Sequence, residues 1–324
     1  MTILARLVVA TLMSLPLLMP AAGPALAYPD RPVRIVVPYP PGGGTDVVAR
    51  LLAQRLTERM KQQFVVENRG GAGGTIGTDV VAKAAADGHT LMVVPTSHVI
   101  NPSVYARLPY DTRKDFAPVS LLASSTIMLA VNPAVPAKTM AELVALARPG
   151  GPVTNFGSAG NGTVFHLVGE LFKKLAGLQI VHVPYRGGAP TVNALLANEV
   201  PMAFETALAL GPHVAAGKLR GLAVTQAKRS RAWPDIPTTA EAGYPSLEAD
   251  NAYALFAPAS TPPAIVERLA QEARTAFNDP DMKAKLAEQG AEVVASSPAE
   301  LAAYVDREMA KWSAIAREAG VRPE

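Results

Sequence analysis

Two glycine-rich segments contain the residue types from which this sequence could build a binding site for a small anion. The first, at residues 36–46, reads VVPYPPGGGTD, and the second, at residues 156–163, reads FGSAGNGT. Each lies between an apolar run typical of a strand and a pattern typical of a helix. The first N–H groups of a helix have no hydrogen-bond partner within the helix, and the helix dipole adds partial positive charge there. Because glycine has no side chain, it lets a ligand approach this backbone closely. Two such loops facing each other could hold an anion without lysine or arginine.

Catalytic and metal-binding patterns are weak by comparison. The segment Gly157–Gly160 contains Ser158 but lacks the Gly-x-Ser-x-Gly spacing of a nucleophile elbow. The five histidines show no ligand spacing at short range, and the chain has no cysteine. The sequence therefore predicts no catalytic residue, metal site or cofactor. An exported hydrolase that uses Ser158 and His166 is an alternative, which labelling of Ser158 by a fluorophosphonate probe would support.

Residues 1–27 have the features of a secretory signal peptide. Arg6 precedes an apolar run from Leu7 to Met19, and the small residues of the segment 25–27 provide a cleavage site before Tyr28. The apolar run is too short to span a bilayer comfortably. We therefore expect a protein exported to the periplasm and not inserted in the membrane. Because the chain lacks cysteine, it has neither disulfides nor an N-terminal cysteine for lipid attachment.

The composition argues against nucleic acid as a partner. The 30 Lys and Arg residues nearly balance the 27 Asp and Glu residues, which gives a net charge of +3, and aromatic residues make up 6% of the chain. Binding to nucleic acid calls for clustered basic residues and, for single strands, aromatic stacking platforms. The short basic cluster at residues 228–231 is typical of a solvated turn.

Apolar strands and amphipathic helices alternate along the chain, with glycine and proline turns between them. Residues 33–94 follow a β-α-β-α-β order, and residues 127–225 repeat this organisation. A late strand at Tyr253–Ala257 is followed by three helices, of which the last spans Pro298–Glu318. The pattern predicts an α/β fold of two doubly wound lobes joined by short crossings, with a hinged cleft between them.

Polar side chains directly follow two of the predicted strands. Ser97 comes after the strand at 91–95, and Glu205 and Thr206 come after the strand at 202–204. Ligands of open α/β sheets bind at the carboxyl ends of strands, so these residues are candidate ligand contacts. Glu205 could equally be a solvated carboxylate, and Asp46 could simply favour the helix dipole. Whether these two acids contact a ligand stays open.

Seven segments together resemble the Bug family, the periplasmic solute-binding proteins of tripartite tricarboxylate transporters. Besides the two glycine loops, they are VENRGGAGG at 66–74, LPYD at 108–111, HVPYRG at 182–187, AGKLR at 216–220 and DIPT at 235–238. They follow the family's order over most of the chain. The resemblance implies a type II periplasmic binding protein that is not an enzyme. On this basis we expect one lobe to contain residues 28–125 and 250–324, and the other residues 126–249.

The resemblance also implies that the glycine loops bind a small carboxylate, partly through ordered waters. The residues that it assigns to the site are Tyr39, Gly42, Gly43, Thr45 and Asp46 of the first loop, Ser158, Ala159, Asn161, Gly162 and Thr163 of the second, and Ser97, Glu205 and Thr206 at strand ends. Family members often carry Asp or a small residue where this chain has Glu205, and phenylalanine is common where it has Tyr39.

The expected partners, again by resemblance, are the membrane subunits of a transporter. An alternative is that the protein presents its ligand to the ectodomain of a membrane sensor kinase, for which the ligand pocket could be identical. A monomer is expected, because a receptor that closes a cleft does not need to self-associate. The sequence does not identify the carboxylate.

Overall fold

Apolar runs rich in β-branched residues form the strands of the computed structural model, which describes residues 28–321. The signal peptide predicted at residues 1–27 lies outside the described residues. The strands are β1 (Val33–Val37), β2 (Phe64–Asn68), β3 (Thr90–Pro95), β4 (Phe116–Val131), β5 (Asn155–Ser158), β6 (Val181–Pro184), β7 (Met202–Thr206), β8 (Arg220–Val224), β9 (Asp250–Pro258) and β10 (Ala291–Val293). The helices are α1 (Gly44–Met60), α2 (Thr75–Ala82), α3 (Ser97–Val104), α4 (Met140–Leu146), α5 (Val164–Ala176), α6 (Gly188–Leu196), α7 (Ala207–Ala215), α8 (Pro263–Asn278), α9 (Pro280–Glu288) and α10 (Pro298–Glu318).

The long strand β4 belongs to two sheets. Its first part, Phe116–Thr126, pairs antiparallel with β9, and its last part, Ile127–Val131, pairs antiparallel with β7 and lies beside β8. One sheet therefore has the order β2-β1-β3-β9-β4-β10, and the other has the order β6-β5-β7-β4-β8. The chain crosses between the sheets within β4 and returns at β9, which gives two α/β lobes, as predicted.

Parallel pairing is confined to strands that helices connect. β1 pairs parallel with β2 and β3, and β5 pairs parallel with β6 and β7. Each sheet therefore presents the carboxyl ends of its parallel strands at one edge, where loops lead into helices. β9 enters the first sheet antiparallel, between β3 and β4, so the sheets are mixed and not wholly parallel.

The C-terminal helix α10 packs on the lobe that contains α3 and the first part of β4. It begins with a capping box. Oγ of Ser297 accepts the backbone N–H of Glu300, and the carboxylate of Glu300 accepts the backbone N–H of Ser297. Its apolar stripe buries Leu301, Val305 and Trp312, and the indole N–H of Trp312 donates to Glu308 at 3.1 Å. The apolar stripe of this helix is therefore core packing.

Two helices, α3 and α7, lie in segments where the sequence reading did not predict them. Each contains an internal proline, Pro102 in α3 and Pro212 in α7, and proline weakens a helical pattern because it lacks an N–H. Both begin directly after a strand, α3 after β3 and α7 after β7. The first part of β4 contains Pro118 and was likewise not predicted.

Candidate functional site

Among residues 28–321, five helices begin at one small cavity between the two sheets. Their starts contribute Gly44 of α1, Ser97 of α3, the cap Thr163 of α5, Gly188 of α6 and the cap Thr206 of α7 to its wall. A helix start carries roughly half a positive elementary charge, so several of them around one cavity favour an anion there. None of the described side chains that line it is a lysine or arginine. The sequence predicted that two of these helix starts, those of α1 and α5, belong to an anion site.

Nine of the thirteen predicted site residues line this cavity. They are Tyr39, Gly43, Thr45, Asp46, Ser97, Ala159, Thr163, Glu205 and Thr206. Asn161 lies farther out, where it lines a wider opening together with Tyr185 and Arg186. Gly42, Ser158 and Gly162 support the loops through hydrogen bonds of their own. As ligand contacts, all thirteen stay predictions.

The first glycine loop is fixed by Asp46, whose carboxylate accepts three hydrogen bonds. The N–H of Gly42 and Nε of Arg50 donate to Oδ2 at 3.0 and 2.9 Å, and Nδ2 of Asn68 donates to Oδ1 at 2.9 Å. Burial alone would raise the pKa of Asp46, but the bonds from Arg50, Gly42 and Asn68 outweigh it and hold the pKa below its usual value. Asp46 is therefore an ionised carboxylate, and its oxygens accept the hydrogen bonds that hold the first loop in place.

The second glycine loop is in contact with a histidine through Ser158. Oγ of Ser158 lies 2.6 Å from Nε2 of His182 and accepts the N–H of Gly160 at 3.2 Å. The ring of His182 stacks on His166 with centroids 4.1 Å apart. Burial, with the nearby charges of His166 and Lys173, lowers the pKa of His182 to about 3. Ser158 is thus in contact with His182, whereas the alternative of an exported hydrolase uses Ser158 with His166.

The two lobes approach each other closely over the cavity. A Cβ atom on Gly187 would lie 2.9 Å from Cδ of Pro40, and one on Gly42 would lie 3.5 Å from Cβ of Ala189. Gly42 and Gly187 also have φ values of +88° and +115°, in the region that favours glycine. The cavity measures about 30 Å³, whereas ligand pockets are commonly several hundred Å³. The loops of the two lobes are therefore packed against each other over the cavity.

The floor of the cavity is formed by Glu205 at the end of β7 and by Asn251 and Tyr253 of β9. Oε1 of Glu205 accepts the N–H of Thr206 at 2.9 Å and its hydroxyl at 3.3 Å. Burial raises the pKa of Glu205 to about 7, against the opposing effect of the bonds from Thr206. Asn251 and Tyr253 are not among the site residues predicted from the sequence.

Two kinds of structure are not found in the described part of the chain. Between residues 28 and 321, no three or more histidine, aspartate or glutamate side chains are grouped so as to hold a metal ion. Over the same residues, no helix combines the length and the apolar composition that crossing a bilayer requires.

Comparisons with known proteins agree with this geometry. BugT of Bordetella pertussis is 37% identical over 299 residues, which cover 91% of this chain and 91% of BugT. A Rhodopseudomonas palustris protein solved with adipate has a TM-score of 0.89 and 36% identity, over 92% of this chain and 100% of its own. MatC of the same organism, solved with bound malate, has a TM-score of 0.85 and 32% identity, over 89% of this chain and 99% of its own.

The family match extends over most of the chain. The signature described as "Tripartite tricarboxylate transporter family receptor" matches residues 48–321. The relatives and structural neighbours are solute-binding proteins, so this protein is a solute-binding receptor and not an enzyme. The resemblance of its seven segments to the Bug family is confirmed. The chain belongs to the receptor family of the tripartite tricarboxylate transporters.

Proposed function

We propose that this protein is a periplasmic receptor that captures a small carboxylate between its lobes for a transporter of the tripartite tricarboxylate type. The observation that carries the proposal is the convergence of five helix starts, within the described residues, on a cavity with no basic side chain in its wall. Such a site supplies N–H and hydroxyl donors with partial positive charge, which suits a carboxylate. The adipate and malate in two neighbours support the same ligand class.

In this proposal the ligand enters when the lobes part and is enclosed when they close. The lobes comprise residues 28–125 with 250–324, and residues 126–249, and β4 and β9 act as the hinge strands. The predicted site residues that line the cavity supply the contacts, apart from Asp46, which holds the first loop in place. The membrane subunits of the transporter receive the closed, loaded receptor. Residues 1–27 direct export and are removed.

Thermal unfolding of the chain from Tyr28 to Glu324 against a panel of carboxylates tests this function. The panel contains mono-, di- and tricarboxylates, amino acids and aromatic acids. A ligand at 100 times its dissociation constant adds about 2.7 kcal/mol of stability, which is a shift of several degrees. A selective shift is expected. If no carboxylate shifts the transition, and mass spectrometry of the denatured protein finds no carboxylate carried through purification, the proposal is wrong.

A further inference from the structure

Two buried polar atoms at the floor of the cavity have no hydrogen-bond partner within the described residues. They are Oε2 of Glu205 and Oδ1 of Asn251, and each of these residues is 2% exposed. Both residues line the cavity. An unpaired buried acceptor is costly, and native proteins leave few of them. Their concentration at one wall indicates that they face a group that the ligand brings.

The chemistry of these atoms specifies that group. Oε2 of Glu205 and Oδ1 of Asn251 are acceptors, whereas the helix starts in the same cavity wall present donors. The wall therefore offers donors that suit a carboxylate and, at the floor, two acceptors that suit a hydrogen-bond donor. A second, bare carboxylate at the floor would face the carboxyl group of Glu205 with no basic side chain in the described wall to separate the two.

Glu205 is held in this position and cannot turn away easily. A Cβ atom on Gly188 would lie 3.1 Å from its Oε2, so the backbone of α6 packs directly against the carboxyl group. Its other oxygen is engaged by Thr206. Asp46, the other acidic residue of the wall, differs because Arg50, Gly42 and Asn68 already use its oxygens. Asp46 thus stabilises the first loop, whereas Glu205 has one oxygen free for the ligand.

We infer that the floor formed by Glu205 and Asn251 is a subsite for a hydrogen-bond donor on the ligand, an amine or a hydroxyl group carried by the same small molecule as the carboxylate. This inference rests on the proposed function and narrows its ligand class from carboxylates to amino and hydroxy carboxylates. Glu205 and Asn251 are then the residues that determine specificity.

Calorimetric titration with two matched ligand series tests the inference at pH 8. Aspartate, malate and succinate share a four-carbon skeleton and carry an ammonium, a hydroxyl or a hydrogen; alanine, lactate and propionate form the three-carbon series. Within the series that binds, the donor-bearing members should bind at least about tenfold more tightly than the bare acid. Whether the amine or the hydroxyl member of the series binds more tightly shows which donor the floor binds.

Glu205→Gln and Asn251→Ala provide the variants, and Glu288→Gln, an exposed position on α9, is the matched control. Both floor variants should reduce the preference for the donor-bearing ligand about tenfold while changing the affinity for the bare acid little; the control should keep the wild-type preference. Unfolding temperatures without ligand show that each variant is folded.

If bare acids bind as tightly as the substituted ones, or if the preference survives both floor variants, the inference is wrong and carboxylate capture still stands. If neither series nor the wider panel binds, the proposed function itself fails.

Discussion

At the scale of single residues, Asp46 and Glu205 both line the cavity, and their surroundings give them different roles. Asp46 accepts bonds from Gly42, Arg50 and Asn68, whereas one oxygen of Glu205 is buried without a protein partner among the described residues. The sequence left both roles open, because the bonds of Asp46 depend on Asn68 of β2 and the burial of Glu205 depends on β9, which is distant in the chain.

Asp46→Asn should weaken all carboxylates by a similar factor, because the substitution disturbs the shape of the first loop and not a contact to one ligand group. The loss of a charge-assisted bond to Arg50 should reduce the binding free energy by roughly 1–3 kcal/mol. Titration with aspartate and succinate measures this loss of affinity for each ligand. A loss confined to aspartate would mean that Asp46 contacts the amine of the ligand directly.

The buried carboxyl group of Glu205 should make stability depend on pH. Burial raises its pKa to about 7 in the folded protein, from 4.5 in the unfolded chain. Between these values the unfolded chain loses the proton first, so a rise in pH through this range lowers the free energy of unfolding, by roughly 3 kcal/mol in all.

Glu205→Gln should remove this dependence, so the ligand-free variant should gain stability relative to wild type between pH 5 and pH 8. Denaturant unfolding at both pH values, with Glu288→Gln as a control, measures the difference. A stability difference between Glu205→Gln and wild type that is the same at both pH values would contradict the assignment.

At the scale of elements, the strand–loop–helix units that carry the two glycine loops could be predicted from the sequence. The strand before the first loop, β1, is rich in β-branched residues, and in both units the glycines stand directly before helical patterns, as observed for α1 and α5. The helix starts of α3 and α7 could not be predicted in the same way, since Pro102 and Pro212 interrupt the pattern. Tertiary contacts stabilise these helices in spite of the prolines.

Two adjacent glycines of the first loop should respond differently to alanine. A Cβ atom on Gly44 would lie 2.2 Å from the hydroxyl oxygen of Tyr253 and 3.1 Å from Oγ1 of Thr206, and both of these residues are buried. A Cβ atom on Gly43 would meet its nearest neighbour, the backbone N of Gly188, at 3.8 Å. Gly44→Ala should therefore lower the free energy of unfolding by about 1–3 kcal/mol, and Gly43→Ala by less. Equal effects in chemical denaturation would contradict the tight packing of α1 against β9.

At the scale of the whole molecule, two lobes follow from the alternation of strands and helices, but the way they are joined does not. β4 runs through both sheets as one strand of 16 residues, and its first part pairs with β9, more than a hundred residues later. Pairing at this separation leaves no local signal, and Pro118 lies within the segment. For the same reason Asn251 and Tyr253, which β9 brings to the cavity, escaped prediction.

A disulfide across the cleft should lock the lobes. The Cβ position of Gly42 lies 3.5 Å from Cβ of Ala189, at the short end of the range of about 3.5–4.5 Å found in disulfides. The chain contains no cysteine that could compete. In the double variant Gly42→Cys with Ala189→Cys, oxidation should abolish or greatly slow ligand binding, and reduction should restore it. Gly42→Cys alone and Ala189→Cys alone, treated with the same oxidant, are the controls, because Gly42 has a φ of +88° that cysteine rarely adopts. Unchanged binding kinetics in the oxidised double variant would show that the ligand does not enter between the lobes.

The most direct test of the account is a crystal structure with the carboxylate that gives the largest thermal shift. The account predicts a carboxylate group in the cavity, with oxygens about 2.7–3.2 Å from N–H or hydroxyl groups at the starts of α1 and α5, and an amine or hydroxyl group facing Glu205 and Asn251. A ligand bound elsewhere, such as in the depression of about 290 Å³ lined by Arg231 and Lys283, would contradict it.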